Sequence, residues 1–259
     1  MPRSLKGVAV EVSVRSLQRK VSKIAGVLEE YLGRPVLVGK RAKPLDTLIA
    51  TLLSQNTNDR NSHKAWLNLK KRFPTWEKVD KALAREIART IEVGGLKNQK
   101  ARRIKKILQI VRRDAGDFDL GFLKSRTNEE VIDYLTAMKG VGTKTAACVL
   151  VFSLDRDAFP VDTHIHRLCN RLGLVRAKTA DQTYEQMKDL IPPRRAYSFH
   201  VNLIRFGRKV CRSQNPLCSE CPLYDHCVFP EKERYASPAA PGSKRSNRNP
   251  DFIILDHVA

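Results

Sequence analysis

Four cysteines, Cys211, Cys218, Cys221 and Cys227, fall within one stretch of seventeen residues, separated by six, two and five residues. So short a segment cannot build an apolar core of its own, and its path is set by whatever the thiols hold. In a reducing compartment, clustered thiols are metal ligands rather than disulfides. Four thiolates at these spacings suit zinc or an iron–sulfur cluster, and spacing alone does not choose between them.

The rest of the chain is consistent with that compartment. Its longest uninterrupted apolar run, Ala146 to Phe152, is far below the roughly 18 residues that a membrane span requires. Near the N-terminus GVAVEVSV is broken by Glu11 and makes a poor secretory signal, while a basic, acid-poor organellar presequence stays open. An intracellular protein with no membrane partner is expected. At 259 residues and 42% hydrophobic, the chain is long enough for one large domain or two small ones, each with its own core. Lys and Arg total 48 against 27 Asp and Glu, giving a net charge of +21 and a pI near 10.0. That imbalance points to a polyanionic partner.

Helical periodicity runs through nearly the whole sequence. Leu17 to Leu32 has helical spacing and stops at Gly33-Arg34-Pro35; after Pro44 the apolar segment Leu45 to Leu53 begins. In LKNQKARRIKKILQIVRR, residues Ile104, Ile107, Leu108 and Val111 share a face, and Lys97, Lys100, Arg102, Arg103, Lys105, Lys106, Arg112 and Arg113 fill the rest. Those cations suit a solvated face or a DNA-facing one equally. Thr127 and Glu130 have capping-box spacing ahead of the stripe Val131, Ile132, Leu135 and Met138. The helix must stop by Gly140, and TKTAACVLVFSL resumes as an apolar helix. Cys148 and Cys169 fall on apolar helix faces and read as core thiols. Pro238 to Pro250 reads as a linker and DFIILDHVA as a docking tail.

Three local patterns carry chemistry. The turn Lys139-Gly140-Val141-Gly142 leaves backbone N–H groups unshielded just ahead of a helix N-terminus, where an anion is favoured, so it can grip one phosphate. Lys144 follows in the first turn of that helix, and an amine held neutral there would be a nucleophile. In PVDTHIHR, Asp162 precedes a helical pattern and reads as its N-cap, a role compatible with catalysis. His164 and His166, two apart on a helix, point in different directions and read as structural.

LTAMKGVGTKTAACVL, followed about 20 residues later by PVDTHIHR and then by the C-x6-C-x2-C-x5-C array, resembles the endonuclease III family of helix-hairpin-helix DNA glycosylases. The resemblance runs from about Leu45 to Cys227 and takes in LLSQNTND and GGLKNQKA. It implies an all-α, two-lobed fold: a six-helix barrel lobe over 44–154 with the helix-hairpin-helix at about 127–154, a cluster lobe of 1–43 with 155–230, and a linker and tail over 231–259. It implies catalysis by Lys144 and Asp162 and a [4Fe–4S] cluster on the four cysteines. That cluster would present Arg208, Lys209 and Arg212 to the DNA backbone.

The implied partner is duplex DNA carrying a damaged base or abasic site, bound by a monomer. The implied reaction is excision of damaged bases, oxidised pyrimidines first, with strand nicking through a lysine Schiff base. A monofunctional glycosylase and a non-catalytic DNA-binding module are the alternatives. Two positions depart from the family pattern. The usual proline before the hairpin glycine is Lys139, which adds a phosphate contact. Asn56 or Gln55 occupies the place where the family inserts a polar residue into the gap left by the extruded base.

Overall fold

The computed structural model describes residues 14–37, 39–237 and 258. Among these, all regular structure is helical. Helix α1 spans Val14–Leu32, α2 Pro44–Ser54, α3 Asp59–Arg72, α4 Trp76–Lys81, α5 Ala84–Thr90 and α6 Lys97–Ala115. They are followed by α7 Asn128–Thr136, α8 Thr143–Phe152, α9 Thr163–Arg171, α10 Ala180–Met187, α11 Ala196–Lys209 and α12 Lys232–Ala236. None of the described helices is long and apolar enough to cross a membrane.

The centre is the pair α2 and α8, packed on each other. Pro44 at the first helical position starts α2, where its missing N–H costs nothing. Apart from Asp46, every α2 residue from Pro44 to Leu53 is buried, as is every α8 residue from Thr145 to Phe152. Both helices therefore carry apolar residues all round and must lie inside. Ser153 Oγ donates to Thr47 Oγ1 at 2.7 Å, satisfying one of the few polar pairs in that core.

Helices α3 and α6 pack on α2 and α7 on α8, with α5 against α6 and α3, while α1 packs on α11, and α11 in turn on α9. Asn202 of α11 donates from Nδ2 to the Gly33 carbonyl at 2.9 Å, fastening the end of α1. The expected capping box is formed: Thr127 Oγ1 accepts from Glu130 N, and Glu130 Oε2 accepts from Thr127 N at 2.7 Å.

The tail differs from the expected linker at one end. Residues 232–236 form α12 instead, because Lys232 Nζ donates to the carbonyls of Tyr224 and Cys227 at 3.2 and 3.0 Å and holds this turn on the cysteine loop. The apolar N-terminal run, the linker over 238–250 and most of the docking tail lie outside the described residues. Val258 alone of that tail is described, and it belongs to the hydrophobic core at 6% exposure.

Candidate active site and cluster loop

The hairpin joins α7 to α8. Gly140 adopts φ +93°, a conformation that favours glycine, and Val141 is buried and anchors the turn. Lys139 and Gly142 are exposed. Because α8 starts at Thr143, its first N–H groups lack acceptors within the helix and give the turn a positive end.

Arg103 of α6 lies directly on this turn: a methyl group at Gly140 would come within 2.5 Å of its Nε. Arg103 donates to Gln55 Oε1 at 3.1 Å, and Gln55 Nε2 donates to the Gly140 carbonyl at 3.1 Å. Both ends of the Gln55 side chain are thus engaged in bracing the hairpin. Asn56 is exposed and held at φ +53°.

The basic face of α6 is correspondingly neither simply solvated nor simply presented to DNA. Lys97 pairs with Glu92, Lys105 reaches the Asp80 and Ala82 carbonyls, and Arg112 meets Asp80 at 3.2 Å. Lys100 is buried at 1% exposure. It lies four residues before Ile104, on the apolar stripe itself, so the spacing that marks the stripe also marks this lysine as internal.

Lys144 is half-buried in the first turn of α8. Asp162 is the N-cap of α9, with Oδ1 accepting from Ile165 N at 2.8 Å. The charges of Lys144 and Asp162 both act on the same two buried groups, the Cys148 thiol and the His200 imidazole. Burial pushes Cys148 up; Lys144 opposes that rise and Asp162 adds to it. Burial also drives His200 down to about 4, so it is neutral. Its Nδ1 meets the Pro160 carbonyl at 2.9 Å, which makes Nδ1 the protonated nitrogen.

His164 is held low by burial despite Asp162 nearby, and its Nδ1 lies 3.3 Å from Arg167. His166 turns away to Thr183 Oγ1 at 2.7 Å. The two histidines diverge, as two-residue spacing on a helix requires. His200 and Arg167 went unmarked in the sequence, since nothing local to α11 or α9 shows what they face.

The four cysteines line one cavity together with Arg171, Tyr224, Phe229 and Lys232. N–H groups are aimed at the sulfurs: Arg171 donates to Cys211 Sγ and Phe229 N to Cys227 Sγ, each at 3.4 Å. Arg167 donates to the Cys211 carbonyl at 2.8 Å. Four soft thiolate donors around one cavity, with N–H···S donors and cations about them, fit an anionic iron–sulfur cluster. Burial raises the thiols of Cys218, Cys227 and, to about 12, Cys221, so ligation displaces protons. Arg208 is not presented to a backbone: its guanidinium pairs with Asp59 of α3 at 2.7 Å, tying α11 to α3. Lys209 is exposed, beside the Tyr31 ring.

A glycine hairpin leading into α8, a lysine in the first turn of that helix, a carboxylate capping α9 and a loop of four cysteines around one cavity are the parts of a helix-hairpin-helix DNA glycosylase with an iron–sulfur cluster. Comparison with known proteins agrees. The model of the HhH-GPD superfamily base excision DNA repair protein matches residues 49–193, and that of the iron-sulfur binding domain of endonuclease III matches residues 211–227. The chain belongs to the endonuclease III family within that superfamily.

Endonuclease III of Thermotoga maritima is 37% identical over 190 residues, covering 73% of this chain and 85% of the relative. A non-covalent endonuclease III–DNA complex superposes with a TM-score of 0.70 at 27% identity, over 84% of this chain and 97% of that one. A trapped endonuclease III–DNA covalent intermediate, an estranged-adenine complex, gives 0.70 at 26% identity over 84% and 97%.

Proposed function

We infer that the protein is a bifunctional DNA glycosylase and abasic-site lyase of base excision repair, with Lys144 as nucleophile and Asp162 as its electrostatic partner. The observation that carries this assignment is the amine and carboxylate disposed around Cys148 and His200, one helical turn from the hairpin. The substrate is duplex DNA with a damaged base, oxidised pyrimidines foremost, or an abasic site. The protein acts as a monomer in the compartment that holds the genome. Its lobes are 44–154 and 1–43 with 155–230, a division supported by α1 packing on α11.

A sugar C1′ is shielded inside the stack, so the damaged nucleotide must first rotate out, at a cost of a few kcal/mol that damage lowers. The hairpin grips a phosphate through Gly140, Val141 and Gly142, with Lys139 adding charge. Asn56 rather than Gln55 enters the gap, since Gln55 is occupied at both ends.

Lys144 Nζ then attacks C1′, and the base leaves with the glycosidic electron pair. Asp162 stabilises the positive charge developing on the sugar and takes up the amine's proton. The sugar ring then opens, the C1′–O4′ bond breaking as O4′ takes the proton held by Asp162, and the resulting Schiff base acidifies C2′; loss of the C2′ proton expels the 3′ phosphate oxygen and nicks the strand. The four cysteines hold the [4Fe–4S] cluster, which when bound fixes the loop on α9 and α11.

The test is single-turnover excision and borohydride trapping on one lesion duplex. Lys144→Ala should abolish trapping and nicking while binding persists. Asp162→Asn should keep the cap, since asparagine caps as well, yet slow base release by about two orders of magnitude or more. Covalent trapping by Lys144→Ala would assign the nucleophile elsewhere, and wild-type rates from Asp162→Asn would leave Asp162 a cap only.

A further inference from the structure

We propose that Lys100 is a positioning residue for nucleotide extrusion: its buried side chain locks Asn56 and Leu96 together as one edge that enters the duplex. The inference rests on the glycosylase reading above and concerns a step before the chemistry.

The Lys100 Nζ donates to the Leu53 carbonyl and to the Gly94 carbonyl, each at 2.7 Å. One carbonyl belongs to the last turn of α2 and the other to the turn that leads into α6. Three residues beyond the first carbonyl stands Asn56, exposed at φ +53°. Two residues beyond the second stands Leu96, at φ +48° and 49% exposed. Asparagine tolerates a left-handed conformation, but leucine does not, and it costs Leu96 about 1–2 kcal/mol. Strain of that kind persists only where the surroundings over-determine it. Here Lys100 fixes the backbone three residues before Asn56 and two before Leu96. Gly94 adds to the constraint, since a Cβ there would lie 3.1 Å from Ala65 Cβ of α3.

Burying an amine is costly. Burial and the nearby Arg103 charge push Lys100 down to about 8. From α2 and the turn before α6 it meets carbonyls, and Ala65 of α3 packs against that turn. Methionine would fill the same space without the desolvation cost but would leave the Leu53 and Gly94 carbonyls without their donor. What methionine cannot do is join two carbonyls of different loops. One joined loop carries the polar Asn56 and the other the apolar Leu96, both exposed, and an apolar side chain on a rigid support is the kind of wedge that unstacks a base step.

The consequence is selective. A loosened edge should hinder extrusion of a base that is paired and stacked, and spare one that is already unpaired. The experiment uses the full chain with its cluster loaded and compares single-turnover excision of an oxidised pyrimidine in two duplexes. One has the normal partner opposite the lesion, and the other has an abasic site there.

Lys100→Met should slow excision of the paired lesion by about 10-fold or more and of the unpaired lesion by less than about threefold. Lys100→Gln, which keeps N–H donors toward the carbonyls, should show the same selectivity with a smaller loss, and it carries the comparison if the methionine variant does not fold. Equal losses on both duplexes would overturn the proposal, as would no loss on either. Wild-type protein that excises neither lesion would overturn the glycosylase reading, and the proposal with it.

Discussion

Replacing each glycine of the hairpin by alanine, one at a time, should produce very different proteins. At Gly140 the new methyl meets Arg103 at 2.5, 2.6 and 2.9 Å from Nε, Cδ and Cζ, on a backbone at φ +93°. The backbone alone costs an alanine about 1–2 kcal/mol. Arg103 must also swing off the turn and release Gln55 Oε1. A hydrogen bond to a charged donor is worth about 1.5–3 kcal/mol, of which water returns part because Arg103 is only half-buried. The sum is about 2–4 kcal/mol. At Gly142 nothing lies within 4 Å of the added carbon and φ is −106°. There the loss is that of alanine for glycine at an N-cap, under about 1 kcal/mol. The assay is the urea midpoint of each variant at unchanged slope, beside affinity for undamaged duplex at one salt concentration. Gly140→Ala should unfold at clearly lower urea than Gly142→Ala. Coincident midpoints for the two variants would refute the reasoning.

Three further outcomes are expected. His200, neutral in the fold at about 4 against 6.5 when exposed, lets the unfolded chain take up a proton first, so stability falls as pH drops from about 6.5 towards 4, by up to about 3 kcal/mol. His200→Asn should flatten that part of the stability–pH curve, and an unaltered slope would count against a buried neutral imidazole. With a net charge of +21, log affinity for duplex DNA should fall linearly with log salt at a slope of about −0.9 per phosphate contact, and a salt-independent affinity would assign the charge to something else. Purified protein should be yellow-brown with about four irons per chain, and Cys221→Ala should lose the colour; stoichiometric zinc would exclude the cluster.

Much of the fold was legible because its signals are local. The capping box at Thr127 and Glu130, the stop at Gly33, the all-round apolar character of α8 and the cap at Asp162 each depend on residues within one or two turns. Backbone hydrogen bonding and side-chain periodicity act over that range. The four cysteines could be read for the same reason, as their ligand role needs only a short loop. The spacing left zinc and iron–sulfur open; the resemblance of the wider sequence chose iron–sulfur, and the match of residues 211–227 to the iron-sulfur binding domain of endonuclease III agrees with it.

What tertiary structure alone decided lies in pairings between distant segments. Arg208 and Gln55 were read as facing DNA, yet Arg208 is taken by Asp59, 149 residues away, and Gln55 by Gly140 and Arg103, 85 and 48 residues away. Lys100 was read with the cations outside the apolar stripe, yet it is buried, and its partners, the carbonyls of Leu53 and Gly94, are backbone groups that no residue type announces. His200 and Arg167 came to the site only when α11 packed on α9. A sequence states which groups carry charge and donors. Which of them remain available to DNA depends on which are satisfied inside the protein, and the packing of helices from opposite ends of the chain makes that choice.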